Sequence, residues 1–156
     1  MERVVVFGRG GSGKSTLCRR LGDLSGLPVL ELDKVYWNQN LDVLSPEEWV
    51  QRQLNITEAE LWIIDGDLGP LDVREPRLAR ADTVILMDTP LVTCVWRAVR
   101  RSRQRMDFWV WVFQWGYKYR PAIIRDVQKI VPAVNLVKLT NRREVDRWLA
   151  NHVPNR

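Results

Sequence analysis

Residues 8–15 have the types and spacing of a loop that binds phosphate groups. Their order, Gly-Arg-Gly-Gly-Ser-Gly-Lys-Ser, satisfies every fixed position of the pattern G-x-x-x-x-G-K-[ST]. Glycines let backbone N–H groups approach phosphate oxygens, and the ammonium of Lys14 neutralises charge that the amides cannot. We expect Lys14 to face solvent without a partner until phosphate arrives, and Ser15 to ligate Mg²⁺. The pattern predicts a nucleoside triphosphate site that consists of Gly8, Gly10, Gly11, Ser12, Gly13, Lys14, Ser15 and Thr16.

The sequence on both sides of this loop supports the prediction. An apolar run at 4–7 ends in Gly8, and Leu17 and Leu21 lie on one face of the segment that follows the loop. A strand therefore leads into the loop and a helix leads out of it. This arrangement places phosphates at a helix N-terminus, where free N–H groups and the helix dipole favour anions. A chance glycine turn would not require this order of strand, loop and helix.

Asp65 closes the apolar run 61–64, as an acidic residue at the end of a strand beside a phosphate-binding loop would do. There it could hold Mg²⁺ through a water molecule, or it could order Lys14 and Ser15. The alternative is an ordinary turn, because Asp65-Gly66 is a common turn pair. The first interpretation predicts a metal site made by Ser15 and Asp65.

Two further aspartates follow apolar runs. Asp33 comes directly after the run 29–32 and could orient an acceptor hydroxyl or take its proton, unless it is only a loop or cap residue. Asp88 follows the run 83–87 and is either a helix cap or a residue that positions the catalytic groups without contacting the substrate. Because the carboxyl ends of parallel strands meet at one crevice, Asp33 is expected to lie near the phosphate loop.

Basic residues are concentrated in one part of the chain, which has a formal net charge of +5. Five arginines fall within nine residues: Arg97, Arg100, Arg101, Arg103 and Arg105. An enzyme that uses a nucleoside triphosphate handles a highly anionic substrate, so these arginines could face phosphates. They could also form a solvated helix face or bind nucleic acid, but the chain has no nucleic-acid recognition motif. On this interpretation nucleic acid is not expected as a partner.

The segment 108–119 is unusually aromatic. One stripe with four-residue spacing consists of Trp111, Trp115 and Tyr119. Other faces carry Trp109, Val112 and Phe113. This is more apolar surface than one side of a small sheet can cover, which predicts a mobile lid or a surface through which two copies form a homodimer. The alternative is a fully buried core helix.

Length and pattern indicate a single α/β domain that spans residues 1–156. Short apolar runs predict strands at 4–7, 29–32, 61–64, 83–87 and 134–139, which are typical of a parallel sheet covered by helices on both faces. Helical patterns separate them near 14–25, 46–59, 90–105, 107–131 and 141–150. Cys18 and Cys94 have no partner at metal-ligand or redox spacing and are expected to be reduced core thiols. The lack of a membrane-spanning run or a signal peptide predicts a cytoplasmic protein.

Several stretches together resemble a known family. They are G-x-G-G-S-G-K-S-T at 8–16, Leu-Asp at 32–33 followed by Trp37, W-I-I-D-G at 62–66, R-A-D-T-V-I at 80–85 and R-R-E-V at 142–145. This combination is similar to the adenylate-kinase-related P-loop proteins that are labelled DNA topology modulation protein-like, and the similarity covers nearly the whole chain. It implies the fold of nucleoside and shikimate kinases, with a five-stranded parallel sheet in the order 2-3-1-4-5.

The resemblance also implies roles for individual residues. Residues 8–16 would bind ATP and Mg²⁺, and Asp33 matches the acidic residue that shikimate-kinase-like enzymes place on the acceptor side. Arg97 and Arg101 resemble the paired lid arginines of adenylate kinases, within a helical lid-like region at about 91–131. In this fold the base usually packs against the loop after the last strand, which here includes Arg142.

Two functions follow as hypotheses. The first is an ATP-dependent kinase that transfers a phosphoryl group to a small anionic or hydroxyl acceptor, with Lys14, Asp33, Arg97 and Arg101 as catalytic residues. The second is a regulatory or interaction protein that uses the nucleotide as a switch. The acceptor and the choice between ATP and GTP are left open.

Overall fold

This computed structural model describes residues 1–36, 44–101 and 106–153, without the side chains of Pro70 and Arg101. Five strands form one sheet: β1 (Arg3–Gly8), β2 (Val29–Glu31), β3 (Trp62–Asp65), β4 (Thr83–Met87) and β5 (Asn135–Leu139). Their order is β2-β3-β1-β4-β5, and every neighbouring pair is parallel. The predicted fold class and strand order are confirmed.

Helices cover the sheet and connect its strands. They are α1 (Lys14–Ser25), α2 (Leu32–Tyr36), α3 (Pro46–Thr57), α4 (Glu75–Arg80), α5 (Leu91–Arg101), α6 (Met106–Gln114), α7 (Arg120–Ile130) and α8 (Arg142–His152). A 3₁₀ turn at Gly69–Leu71 follows β3, and a π-helical segment at Trp115–Tyr119 joins α6 to α7. The predicted helix at 107–131 is therefore interrupted by a wider turn, and Leu32 begins a helix instead of ending a strand.

Apolar side chains form a core on each face of the sheet. On one face, α1 and α8 contribute Leu17, Leu21 and Leu149. On the other face, α3, the π-helical segment and α7 contribute Trp49, Trp115 and Ile123. The sheet is covered less completely at its β5 edge, where four of the five residues are exposed or half-buried, so the expectation of strands buried on both faces fails there.

Two expectations about the chain can be checked directly. Cys18 and Cys94 are buried free thiols, as predicted. No helix among the described residues is long and apolar enough to cross a membrane.

Candidate active site

The phosphate loop turns sharply between β1 and α1. Gly11 and Gly13 both have positive φ angles, of 80° and 100°, in the left-handed region that favours glycine. A Cβ atom at Gly11 would also collide with the carbonyl oxygen of Cys94 at the start of α5. Gly13 is the N-cap of α1, so the loop ends where the unpaired N–H groups of that helix begin. This geometry is that of an anion-binding loop.

Lys14 is half-buried and already has contacts, contrary to the expectation that it faces solvent unpaired. Its Nζ atom donates a hydrogen bond to the carbonyl oxygen of Arg9 at 3.2 Å and lies 5.8 Å from the ring centroid of Trp111. The reason is that α6 packs close to the loop, which places an aromatic face near the ammonium. A phosphate would therefore replace the Arg9 carbonyl as the partner of Lys14.

A first cavity of about 460 Å³ lies between the phosphate loop, α5 and the start of α8. We call it the nucleotide cavity. The predicted residues that line it are Ser12, Gly13, Thr16, Arg97 and Arg142. The buried hydroxyl of Ser12 has no hydrogen-bond partner, while Arg97 and Thr89 donate to the Ser12 carbonyl oxygen at 3.3 and 3.1 Å.

A second cavity of about 960 Å³ lies on the other side of the loop, below α6. We call it the acceptor cavity. The predicted residues that line it are Gly10, Gly11, Gly13, Lys14, Ser15, Asp33 and Asp65. Gly13 borders both cavities, so they meet at the loop that would hold the phosphates. Gly8 borders neither cavity, because it packs against Met87 and Ser12 at the base of the loop.

Asp65 lies at the end of β3, beside β1, and only 6% of its surface is exposed. Its Oδ1 atom is buried without a hydrogen-bond partner. Burial, with a further contribution from the charge of Asp65, raises the pKa of the Cys18 thiol well above its ordinary value, so Cys18 remains protonated. A carboxylate that has an unpartnered oxygen and lines the same cavity as Lys14 and Ser15 fits a role in holding a metal–phosphate complex.

Asp33 lies in the first turn of α2, immediately after β2, and its side chain is exposed within the acceptor cavity. Desolvation by the cavity walls raises the pKa of Asp33 above its ordinary value, although Lys14 acts in the opposite direction. The structure thus brings Asp33, Asp65 and Lys14 to the same cavity.

The sequence analysis did not identify Asp67 as a functional residue. It lies on the acceptor cavity, 7% exposed, with Oδ1 accepting from the Gly69 N–H at 2.8 Å and Oδ2 without a partner. Burial, together with the nearby Asp72 carboxylate, raises the pKa of Asp67 to about 6. The available signal was the sequence Asp65-Gly66-Asp67, which places two carboxylates around a glycine at a strand end.

The remaining charged residues have different positions. Arg97 donates to a carbonyl oxygen of the phosphate loop, whereas Arg101 ends α5 and its side chain lies outside the described part of the structure, as do Arg103 and Arg105. Asp88 forms ion pairs with Arg120 at 2.9 Å and Lys138 at 3.0 Å. Those two cations attach the end of β4 to its neighbours, which is a structural role.

The aromatic segment 108–119 divides into an inner and an outer face. Val112, Trp115 and Tyr119 are buried, so the core alternative is right for the inner face. Trp111 is half-buried at the wall of the acceptor cavity, where its indole packs against Gly69. The outer face is a stripe with helical spacing, which we call the outer stripe and which consists of Met106, Val110, Phe113 and Tyr117. Self-association, if it occurs, cannot use the predicted tryptophan stripe without unpacking the core.

Comparison with known proteins bears on the fold alone. No protein-family model matches the sequence, and no curated protein matches it. Among solved structures, a shikimate kinase from Acinetobacter baumannii in complex with shikimate is 15% identical, with a TM-score of 0.64 over 97% of this chain and 90% of that chain. A sugar kinase from Janibacter sp. HTCC2649 is 17% identical, with a TM-score of 0.60 over 99% of this chain and 96% of that chain.

A third solved structure is a deoxyadenosine kinase from M. mycoides with bound dCTP, which is 14% identical with a TM-score of 0.55 over 95% of this chain and 96% of that chain. The chain therefore has the fold of P-loop nucleoside and shikimate kinases, and the predicted resemblance is confirmed at that level. The three kinases named act on different acceptors, so the fold does not identify an acceptor for this chain.

Proposed function

We propose that the protein transfers the γ-phosphoryl group of Mg-ATP to a small acceptor that binds in the acceptor cavity. The observation that supports this most directly is the meeting of two cavities at Gly13, with Lys14 and Asp33 on the side away from the nucleotide cavity. Nucleotide binding alone would use the first cavity and the part of the second that the phosphate loop lines, and would leave Asp33 and the rest of the second cavity without a role. A phosphotransferase that uses ATP would work in the cytoplasm.

The residues present fit ATP and Mg²⁺. The unpartnered Ser12 hydroxyl and the backbone at Gly11 and Gly13, where φ is positive, form a cradle for phosphate oxygens. Arg142 lines the same cavity and would contact the base. Mg²⁺ in such sites usually has one or two protein oxygens and several from phosphates and water. Ser15 and Asp65 would supply the protein oxygens, and the metal would neutralise charge on the phosphates.

The proposed reaction is the attack of an acceptor hydroxyl on the γ-phosphorus. The new oxygen–phosphorus bond forms as the bond to the β,γ-bridging oxygen breaks, and ADP leaves with that electron pair. The hydroxyl proton passes to the Asp33 carboxylate and then to water. Lys14 and Arg97, or Arg101, would stabilise negative charge as it develops. A carboxylate whose pKa is raised, as at Asp33, is a better base near neutral pH than an ordinary one.

The test is a screen of acceptors for ADP production with ATP and Mg²⁺, followed by Asp33→Asn. We expect this variant to bind ATP nearly as the wild type does and to lose roughly 10²-fold or more in kcat, the usual range for a general base. Asp23→Asn is the matched control, because Asp23 is exposed on α1 and borders neither cavity. Wild-type turnover in Asp33→Asn would show that Asp33 is not the base and only forms part of the first turn of α2.

A second candidate function is a nucleotide-dependent regulatory or interaction protein. The exposed outer stripe favours it, because apolar side chains at helical spacing are suited to contact with another protein. ATP-dependent binding of a partner, with no ADP produced from any acceptor, would favour this function over the kinase.

A further inference from the structure

The two cavities differ in charge. The charged residues that line the nucleotide cavity are Arg20, Arg97 and Arg142. Those that line the acceptor cavity are Glu31, Asp33, Asp65, Asp67, Asp107, Lys14 and Lys118. Five carboxylates thus line the same cavity as two ammonium groups, and one of the five, Glu31, is paired with Lys34 at 3.0 Å. None of the described residues that line this cavity is an arginine. Arginine is the usual partner of carboxylate and phosphate groups, since its planar donors match their oxygens.

The two ammonium groups of the acceptor cavity already have other contacts. Lys14 belongs to the phosphate loop, and Lys118 is exposed with its Nζ atom 5.4 Å from the ring centroid of Tyr119. Arg74 and Arg77, which also influence Asp67, bind Asp126 and Asp72 instead. An anionic acceptor would therefore meet mostly carboxylates.

Two of the carboxylates each have one buried oxygen without a partner, and this observation itself indicates a ligand. Asp65 Oδ1 and Asp67 Oδ2 are buried with no hydrogen-bond donor, and both residues are more than nine-tenths buried on the cavity wall. A buried carboxylate oxygen without a donor is unfavourable by the desolvation free energy of that group. Asp65 has a proposed role beside Mg²⁺, whereas the proposed nucleotide and metal site assigns no role to Asp67.

Aromatic side chains form the other wall of this cavity. Tyr36, Phe108, Trp111 and Tyr119 all line it, and the position of Lys14 shows that the face of Trp111 accepts a cation. Aromatic faces attract ammonium groups and also pack on the carbon skeleton of a small ligand. Carboxylates and aromatic faces together are complementary to a positive, partly apolar molecule.

We propose that the acceptor is a hydroxyl compound that carries a protonated amine, such as an amino alcohol or an amino sugar. Its ammonium group donates to the Asp67 carboxylate and lies against the aromatic wall, while its hydroxyl lies at Asp33 and Lys14. This assignment rests on the proposed function and narrows the acceptor to one class. The reaction is the phosphoryl transfer described above, with the amine unchanged.

The test uses acceptors that share a skeleton and differ in charge. One set is glucosamine, glucose and glucuronate, and a smaller set is ethanolamine, ethylene glycol and glycolate. Binding is measured by calorimetry at pH 7 with Mg²⁺ and a non-hydrolysable ATP analogue. We expect at least one amine to bind roughly tenfold or more tightly than its neutral partner, with the anion weakest, because only the amine offers a charged donor to the Asp67 carboxylate.

Asp67→Asn should remove most of this preference for the amine, whereas Asp23→Asn, the exposed control on α1, should leave it unchanged. The proposal is wrong if no amine binds more tightly than its neutral or anionic partner, and this includes the case in which none of the six compounds binds. Amine binding without ADP production from ATP would support an amine as the ligand of this cavity and contradict phosphoryl transfer. ADP production with only neutral or anionic acceptors would support phosphoryl transfer and contradict the amine as the acceptor.

Discussion

Asp67→Asn should make the protein more stable at neutral pH. Asp67 is buried, and its pKa in the folded state is about 6, against about 3.9 in an unfolded chain. The folded state therefore binds this proton more tightly than the unfolded state does. The favourable contribution is fully present below pH 4 and is lost as the pH rises through 6. A difference of about two pKa units corresponds to roughly 3 kcal/mol of lost stability at pH 7.

Asparagine has nearly the same shape and cannot ionise. Its side-chain oxygen can still accept the hydrogen bond that Gly69 N–H donates to Asp67 Oδ1. We expect the variant to gain roughly 1–3 kcal/mol at pH 7, a rise in Tm of roughly 3–10 °C for a chain of this size, and nothing at pH 4. Urea unfolding followed by tryptophan fluorescence at pH 4, 5, 6 and 7 measures this. A variant that is less stable at pH 7, or equally shifted at every pH, would refute the reasoning.

Asp82→Asn is the control with the opposite sign. Desolvation would raise the pKa of Asp82, but hydrogen bonds from Thr83 Oγ1 and from the N–H groups of Arg3 and Glu2 outweigh it and lower the pKa. Asp82 therefore stabilises the fold when ionised, and this contribution disappears as the pH falls through its low folded-state pKa. Its asparagine variant should be less stable at pH 7 and approach the wild type in acid.

Three further changes test the phosphate loop, α5 and α6. Lys14→Ala should weaken ATP binding by roughly 10- to 100-fold in calorimetric titration, because it removes a charged hydrogen-bond donor, while the unfolding midpoint changes little; wild-type affinity would contradict the loop assignment. Arg97→Ala should lower kcat by roughly 10²-fold with a smaller change in ATP affinity. The control is Arg100→Ala, which should change neither kcat nor ATP affinity, because the Arg100 guanidinium lies 4.4 Å from the ring centroid of Trp96. Equal losses in the two variants would indicate a general electrostatic effect. If two copies associate through the outer stripe, Phe113→Glu should raise the dimer Kd by roughly tenfold or more in sedimentation, and a wild type that is monomeric at every concentration would exclude self-association.

The sheet was predictable from the sequence because each strand is a short apolar run between turn residues. The capping box that begins α3 was equally local, with Ser45 and Glu48 bonding each other's backbone N–H groups at 3.2 and 2.8 Å. By contrast, α2 and α4 have five and six residues, which is too short for a helical period to be recognised. Helix periodicity also could not show that a π-helical segment would interrupt the long helix.

The site was predictable only where its residues are neighbours in the sequence. The glycines, Lys14 and Ser15 belong to one continuous pattern, so their joint position follows from the pattern. The raised pKa of Asp67 depends on the burial of its carboxyl group and on its closeness to Asp72, and both arise only from tertiary packing. The same holds for Lys14 and Trp111, whose contact requires α6 to pack on the loop.

Unpartnered oxygen atoms are distributed unevenly in the part of the chain that the structure describes. The buried side-chain atoms without a hydrogen bond include nitrogens of arginine and tryptophan in several places, but the oxygens are only Ser12 Oγ, Asp65 Oδ1 and Asp67 Oδ2. All three residues border one of the two cavities that meet at Gly13. Folded proteins rarely leave such groups unpaired, because each lowers stability. Their position at both cavities, one hydroxyl on the nucleotide side and two carboxylates on the acceptor side, is what a site that awaits donors from two different ligands would have.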